Sequence, residues 1–150
     1  MKKQFLSILS SLAFFMVILT GCKKEDNPAP ATKTKTQLIS QSPWIFQSAF
    51  AGSSDVSNAP QLACFKDNII TFAANGTGTI NEGSYICSPS TAGNFTWSFQ
   101  TNETMLVLSA PLFQGGGGTF SLGSLTETNI VVSQDVNFPP PTTVTFTFKH

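Results

Sequence analysis

The sequence predicts an all-β domain whose eight antiparallel strands form an up-and-down barrel, or alternatively a two-sheet sandwich. Short runs of β-branched and aromatic residues recur between Gly, Pro and Asn from residue 37 onward, and no run there has convincing helical spacing. Several runs alternate apolar with polar residues, as half-buried strands do. Most connections are short, so we expect neighbouring strands to pair. This favours the barrel, because closure removes unpaired sheet edges.

The predicted strands follow one another along the chain and end at turn-forming residues. They cover residues 43–50, 65–73, 77–86, 95–100, 105–108, 119–125, 130–136 and 143–148. Asn75-Gly76, between the second and third strands, is the strongest signal for a hairpin turn, because both residues tolerate positive φ angles. The Gly run at 115–118 and the Pro run at 139–141 are predicted to be loops.

Composition and charge exclude several classes of function. The 150 residues include no Arg and a single His, His150, and the formal net charge is zero. Residues 1–36 contain six Lys and two acidic residues, whereas residues 37–150 contain two Lys and six acidic residues. A mildly acidic domain without a basic face is a poor candidate for binding nucleic acid. Because histidine is so scarce, we expect no enzyme activity, no metal site and no cofactor.

Residues 1–21 have the features of a lipoprotein signal peptide. Two Lys follow Met1, and residues 5–19 form an apolar run that is too short to span a membrane as a helix. The run ends in Leu19-Thr20-Gly21-Cys22, which resembles the bacterial lipobox. The resemblance implies cleavage before Cys22 by signal peptidase II and attachment of fatty acyl chains such as palmitate to Cys22. The alternative is an ordinary secretory signal with an incidental cysteine.

Residues 22–36 are predicted to be a flexible, lipid-anchored tether, and residues 37–150 the folded domain. Lys23 follows the cysteine at a position where Asp would indicate retention in the inner membrane of many Gram-negative bacteria. We therefore expect the outer membrane. Lys24-Glu25-Asp26 resembles an export signal to the cell surface; the alternative is a solvated charge cluster.

Cys64 and Cys87 are predicted to form a disulfide, because they are an even pair in an exported chain. If Asn75-Gly76 is a two-residue turn, the two cysteines face each other across the hairpin. A three-residue turn ending at Gly76 offsets them by one position, and both registers allow a bridge. The same registers bring Asp67 and Glu82 near each other. We interpret these carboxylates as solvated strand residues rather than as an acid–base pair.

An ordered series of residues extends through the domain. It comprises Leu38, Trp44, residues 64–72, Asn75-Gly76-Thr77, Glu82-Gly83, residues 87–90 and Phe95-Thr96-Trp97. Together they resemble the lipocalin-like domain of small bacterial envelope lipoproteins. The resemblance implies an eight-stranded barrel around a cavity, with Trp44 closing one end. Lipocalins pack an Arg over that Trp, and Lys149 is the candidate replacement through a cation–π contact.

Bulky apolar residues are candidates to line the interior, either around a ligand or as a solid core. They are Trp44, Phe72, Phe95, Trp97, Phe99, Phe120, Phe146 and Phe148. An eight-stranded barrel is just wide enough to be filled by side chains or to hold one small ligand.

Two functions remain open for a monomer held on the outer membrane by acylated Cys22. One is a lipocalin-like lipoprotein that binds a small hydrophobic molecule in the barrel. The other is a structural or interaction lipoprotein with a filled barrel, whose loops contact a protein or a glycan.

Overall fold

A computed structural model describes residues 31–137 and 141–150. The predicted signal peptide, Cys22 and most of the tether lie outside the described residues, as do Pro139 and Pro140 of the predicted loop. The described elements are α1 (Lys35–Ile39), β1 (Trp44–Ala51), β2 (Ser54–Asp55), a 3₁₀ helix (Pro60–Phe65), β3 (Ile69–Phe72), β4 (Thr77–Asn81), β5 (Gly93–Gln100), β6 (Met105–Leu108), β7 (Thr119–Leu125), β8 (Asn129–Val136) and β9 (Thr142–Lys149).

Strands β1 and β3–β9 form a closed antiparallel barrel of eight strands. Each of these strands pairs with the next in this order, and β9 pairs back onto β1 from Ile45↔Lys149 to Ala51↔Val144. The two-residue β2 pairs with the end of β1. The predicted barrel is confirmed, and the alternative of a two-sheet sandwich is wrong.

The barrel has two ends that carry different segments. The α1 end holds α1 and the turns at 74–76, 101–104 and 126–128. The loop end holds the segments 52–68, 82–92 and 109–118. Chain entry into the domain and the long loops therefore lie at opposite ends of the barrel.

The predicted strand at 65–73 is wrong in its first part. Residues Pro60–Phe65 form a 3₁₀ helix, and β3 begins only at Ile69. Pro60 occupies the first helical turn, where its missing N–H costs no hydrogen bond. Leu62 and Phe65 are three residues apart, so they share one face of the 3₁₀ helix, and both are buried. Alternation of apolar residues alone does not distinguish this short helix from a strand.

The hairpin between β3 and β4 uses a three-residue turn. Phe72 pairs with Gly78, and the Ala73 N–H donates to the Thr77 carbonyl at 2.8 Å. Gly76 has a φ of +83°, which a side chain would disfavour. The predicted strand at 77–86 is too long, since β4 ends at Asn81 and Gly83 turns the chain with a positive φ.

Helix α1 was not predicted, although its start has a local sequence signal. The Thr34 hydroxyl accepts a hydrogen bond from the Gln37 N–H at 3.2 Å, and the Gln37 side chain accepts one from the Thr34 N–H at 2.9 Å. This is a capping box. The helix begins two residues before the predicted domain boundary at residue 37 and buries Ile39.

The turn between β5 and β6 holds three consecutive residues in the left-handed region. Thr101, Asn102 and Glu103 have φ values of 53°, 53° and 60°. A β-branched residue such as Thr101 adopts this conformation only at a cost of about 1–2 kcal/mol. Contacts hold the turn in place, including a hydrogen bond of 2.6 Å from the Lys35 ammonium to the Glu103 carbonyl.

Candidate functional site

The barrel interior, the expected ligand site, is packed with side chains. The void at its centre is about 10 Å³, lined only by apolar residues. A single water needs about 10–15 Å³ and polar partners. Of the eight candidate lining residues, seven are buried in the core, and Phe99 is partly buried with its ring 5.4 Å from that of Trp97.

A plug of aromatic rings packs around Phe65, which the 3₁₀ helix of the loop-end segment 52–68 carries into the barrel. Phe65 is 1% exposed. Its ring centroid lies 5.4 Å from those of Phe46 and Phe113, 5.8 Å from that of Phe148 and 6.4 Å from that of Phe146. Most of these pairs meet edge to face, the arrangement that aromatic quadrupoles favour. Phe65 and Phe113 belong to loop-end segments, so these two rings cover the interior from that end of the barrel.

Trp44 and His150 close the α1 end. Trp44 is fully buried, and its indole N–H donates to the Ile39 carbonyl at 2.7 Å. The His150 ring lies 3.7 Å from the Trp44 ring, tilted by 33°. The expectation that Lys149 covers Trp44 is wrong, because side chains alternate along β9 and Lys149 follows the inward-facing Phe148, so it is exposed.

The predicted disulfide between Cys64 and Cys87 is confirmed, with the two Cα atoms 5.1 Å apart. The cysteines do not sit on paired strands, as the hairpin registers implied. Cys64 lies in the 3₁₀ helix and Cys87 in the loop after β4. The bridge therefore ties the helix that carries Phe65 to the segment 82–92, which we call the 82–92 loop.

Two carboxylates also hold the 82–92 loop. Asp67 Oδ2 accepts hydrogen bonds from the backbone N–H groups of Ser84 at 2.7 Å and Tyr85 at 3.0 Å. Such charge-assisted bonds to backbone donors are stronger than neutral ones. They fix the direction in which the chain leaves β4.

Glu82 holds the far side of the same loop. Its carboxylate accepts hydrogen bonds from the Ser90 hydroxyl at 2.7 Å, the Thr91 N–H at 2.6 Å and the Thr91 hydroxyl at 2.8 Å. The Thr91 backbone N–H is the main reason that the pKa of Glu82 lies below its ordinary value. The interpretation of Asp67 and Glu82 as solvated strand residues is wrong: Glu82 is buried, and each carboxylate binds its own set of loop donors.

The loop held in this way presents two large hydrophobic side chains to solvent. Tyr85 is 61% exposed and Ile86 is 71% exposed. The predicted strand at 77–86 wrongly includes both residues, because their β propensity does not distinguish a strand from a loop held by hydrogen bonds. No local sequence signal locates them, because the Asp67 carboxylate that holds the loop binds N–H groups 17 and 18 positions further along the chain.

A groove of about 560 Å³ lies between the 82–92 loop and the segment 109–118. Its lining residues are Pro89, Ser90, Thr91, Ala92, Ala110, Pro111, Phe113, Gln114 and Gly115. The Gln114 side chain bridges the two walls by donating to the Pro89 carbonyl at 2.9 Å. We call this the loop-end groove.

The glycine run forms a loop, as predicted, and it is pinned to β8. Gln134 is buried; its carbonyl oxygen accepts from the Gly117 N–H at 3.1 Å, and its amide donates to the Thr119 carbonyl at 2.8 Å. A Cβ at Gly118 would overlap the Leu108 carbonyl oxygen. Glycine is therefore required at 118 by close backbone approach.

A second groove, of about 490 Å³, lies on the outer wall of β3–β5. It is lined mainly by Thr, Asn and Ser side chains, and no charged residue or exposed aromatic ring contributes to it. The loop-end groove differs in that one of its walls belongs to the loop that carries the exposed Tyr85 and Ile86.

Within residues 31–137 and 141–150, no three His, Cys, Asp or Glu side chains group as they would around a metal ion. In the same residues, no helix has the length and apolar character needed to cross a membrane. No known protein-family model matches the sequence, and the search of curated proteins returned no match.

Proposed function

We propose that this chain is a lipid-anchored lipoprotein of the bacterial outer membrane, whose filled barrel is a non-catalytic scaffold that binds a macromolecule through its loop end. The observation that carries the proposal is the interior void of about 10 Å³, which has no room for a ligand. The alternative function, a small hydrophobic molecule inside the barrel, would require displacement of the Phe65 and Phe113 rings from the loop end. Buried rings of this size each contribute about 3–5 kcal/mol to stability, so that displacement is costly.

The anchor rests on the sequence before the domain. The basic start, the apolar run at 5–19 and the lipobox-like Leu19-Thr20-Gly21-Cys22 all favour acylation of Cys22. Residues 32–35 enter the domain at the α1 end, where Lys33 pairs with Glu127 at 2.9 Å. The 82–92 loop lies at the opposite end of the barrel from this point of entry. The resemblance to the lipocalin-like domain, which runs from about residue 38 to the C-terminus, agrees with an envelope lipoprotein.

The interior is tested by native mass spectrometry of the full chain, purified in a mild detergent and then titrated with a hydrophobic dye. The proposal predicts the mass of the acylated chain alone and no saturable dye binding. A co-purified small molecule, or dye binding that lipid extract displaces and that changes Trp97 fluorescence, contradicts the proposal.

The anchor is tested by metabolic labelling with a palmitate analogue. We expect the label on the wild-type chain, on Cys64→Ala and on Cys87→Ala, and none on Cys22→Ala. Label that survives Cys22→Ala, or an unlabelled wild type, contradicts lipid attachment at Cys22. Protease treatment of intact cells then distinguishes the surface side, where the domain is cut, from the periplasmic side, where it is protected.

A further inference from the structure

We infer that the loop-end groove binds an extended protein segment that carries Lys or Arg beside an apolar side chain. This inference rests on the proposed function and specifies the chemistry of the partner. Three observations support it: the clamped hydrophobic pair Tyr85 and Ile86, the apolar groove beside the same loop, and the negative charge of the loop end.

The 82–92 loop is pre-organised around its exposed hydrophobic residues. Asp67 binds the backbone N–H of Tyr85 itself, the disulfide joins Cys87 directly after Ile86, and Glu82 fixes the return of the chain. A loop fixed in this way loses little conformational entropy when a partner binds. Exposed Tyr on a rigid surface is typical of residues that contribute most to binding at protein interfaces.

The groove favours a peptide over a carbohydrate. Pro89, Ala92, Ala110 and Pro111 offer apolar walls. Ile86, on the loop that forms one of these walls, is an exposed aliphatic side chain that cannot hydrogen-bond to sugar hydroxyls. Gln114 supplies an amide between the walls, suited to a backbone N–H or carbonyl. A groove of about 560 Å³ has room for a few side chains of an extended segment.

The charge of the loop end indicates which charge its partner carries. The described residues of the loop end and the adjoining strand ends include one cation, Lys66, and four carboxylates. The carboxylates are those of Asp55, Asp67, Glu82 and Asp135. A net charge of −3 over one end of a small barrel attracts a cationic partner and repels anionic lipid headgroups. The three Lys of the described α1 end and β9 (Lys33, Lys35 and Lys149) lie away from the groove.

The test selects phage-displayed random linear peptides on three forms of the full chain: wild type, Tyr85→Ser/Ile86→Ser, and Ile45→Ser/Ile69→Ser. The last is a matched control, because Ile45 and Ile69 are exposed hydrophobics of 37% and 38% on the barrel wall. Tryptophan fluorescence confirms that each form is folded. We expect the wild type and the wall variant to enrich peptides with Lys or Arg next to apolar residues, and the loop variant to enrich none of them.

One enriched peptide is then synthesised with a fluorescent label, and its affinity is measured by anisotropy. We expect a loss of about tenfold or more in the loop variant and less than about twofold in the wall variant. The affinity should also fall when NaCl rises from about 50 mM to about 500 mM, since salt screens the steering charge. Peptides that are neutral or acidic, or that bind the loop variant equally well, overturn the inference.

Two other outcomes separate this inference from the proposed function. If no peptide is enriched but a glycan array or anionic vesicles retain the wild type through Tyr85 and Ile86, the loop end is a binding surface and our assignment of its partner is wrong. If the wild type carries a small apolar molecule inside the barrel, the proposed function itself fails.

Discussion

Replacement of Phe65 by Ala tests whether the 3₁₀ helix plugs the barrel. The substitution removes a ring that is 1% exposed and that contacts Phe46, Phe113, Phe146 and Phe148. Loss of the transfer free energy of the ring accounts for about 2–3 kcal/mol. Three of the four neighbouring rings are held on strands β1 and β9, so the cavity cannot collapse, which raises the expected loss to about 4 kcal/mol.

Urea unfolding of the oxidised protein, followed by Trp fluorescence, measures this loss. The control is Phe50→Ala on the outer wall, where the ring is 39% exposed, and we expect it to cost less than about 1 kcal/mol. Small domains have about 5–15 kcal/mol of stability, so Phe65→Ala should still fold; if it does not, Phe65→Leu should show a smaller loss in the same direction. Equal losses for Phe65→Ala and Phe50→Ala would refute the plug.

Three further predictions concern the disulfide, the loop clamp and the strained turn. Cys64→Ala/Cys87→Ala should lower the free energy of unfolding by about 3 kcal/mol in urea titrations. An unchanged free energy of unfolding would contradict a stabilising disulfide in the native state. Glu82→Gln should be less stable than wild type at neutral pH. Because the folded pKa of Glu82 lies below its ordinary value of 4.5, its stabilisation is lost as pH falls through the lowered value, so the difference between the two urea midpoints should shrink as the pH falls and vanish below that lowered pKa. Thr101→Gly should raise stability by about 1 kcal/mol in thermal unfolding, whereas Ser98→Gly within β5 should lower it by a similar amount; a loss in both would show that the turn is unstrained.

The strands that could be predicted best are those whose side chains alternate without a competing signal. The bounds predicted for β6 and β7 are those observed, and β5, β8 and β9 differ by one or two residues. In these strands burial of one face stabilises the extended conformation. The alternation of apolar and polar residues in the sequence identifies which residues form that face.

The two short helices could not be found from periodicity. Helix α1 has five residues and the 3₁₀ helix six, which is too few for a repeating apolar stripe. Their stability comes from tertiary contacts: Ile39 supports Trp44, and Phe65 packs among rings that are distant in sequence. The capping box at Thr34 was the one local signal that could have revealed α1.

The candidate site was predictable only in part. The even number of cysteines left after Cys22, in a chain with a predicted signal peptide, was sufficient to predict the disulfide, although the hairpin register offered for it did not apply. Whether the barrel is hollow depends on how individual rings occupy the interior, and composition does not determine that. Likewise, the 82–92 loop is held by hydrogen bonds from backbone N–H groups to Asp67 and Glu82. The sequence pattern does not predict which N–H groups lack a partner within the strands and can therefore bind these carboxylates.

The pairing of β9 with β1 has a consequence for how the domain forms. Ile45 and Lys149 are neighbours in the sheet but lie 104 positions apart in the chain. Contacts of such long separation require closure of the entire polypeptide into a ring, which makes folding of the domain slow compared with helical proteins of the same size. The hairpins from β3 to β8 are local and can assemble first. We therefore expect the pairing of β1 with β9 to form last, so amides of β1 should be among the last to gain protection from hydrogen exchange during refolding.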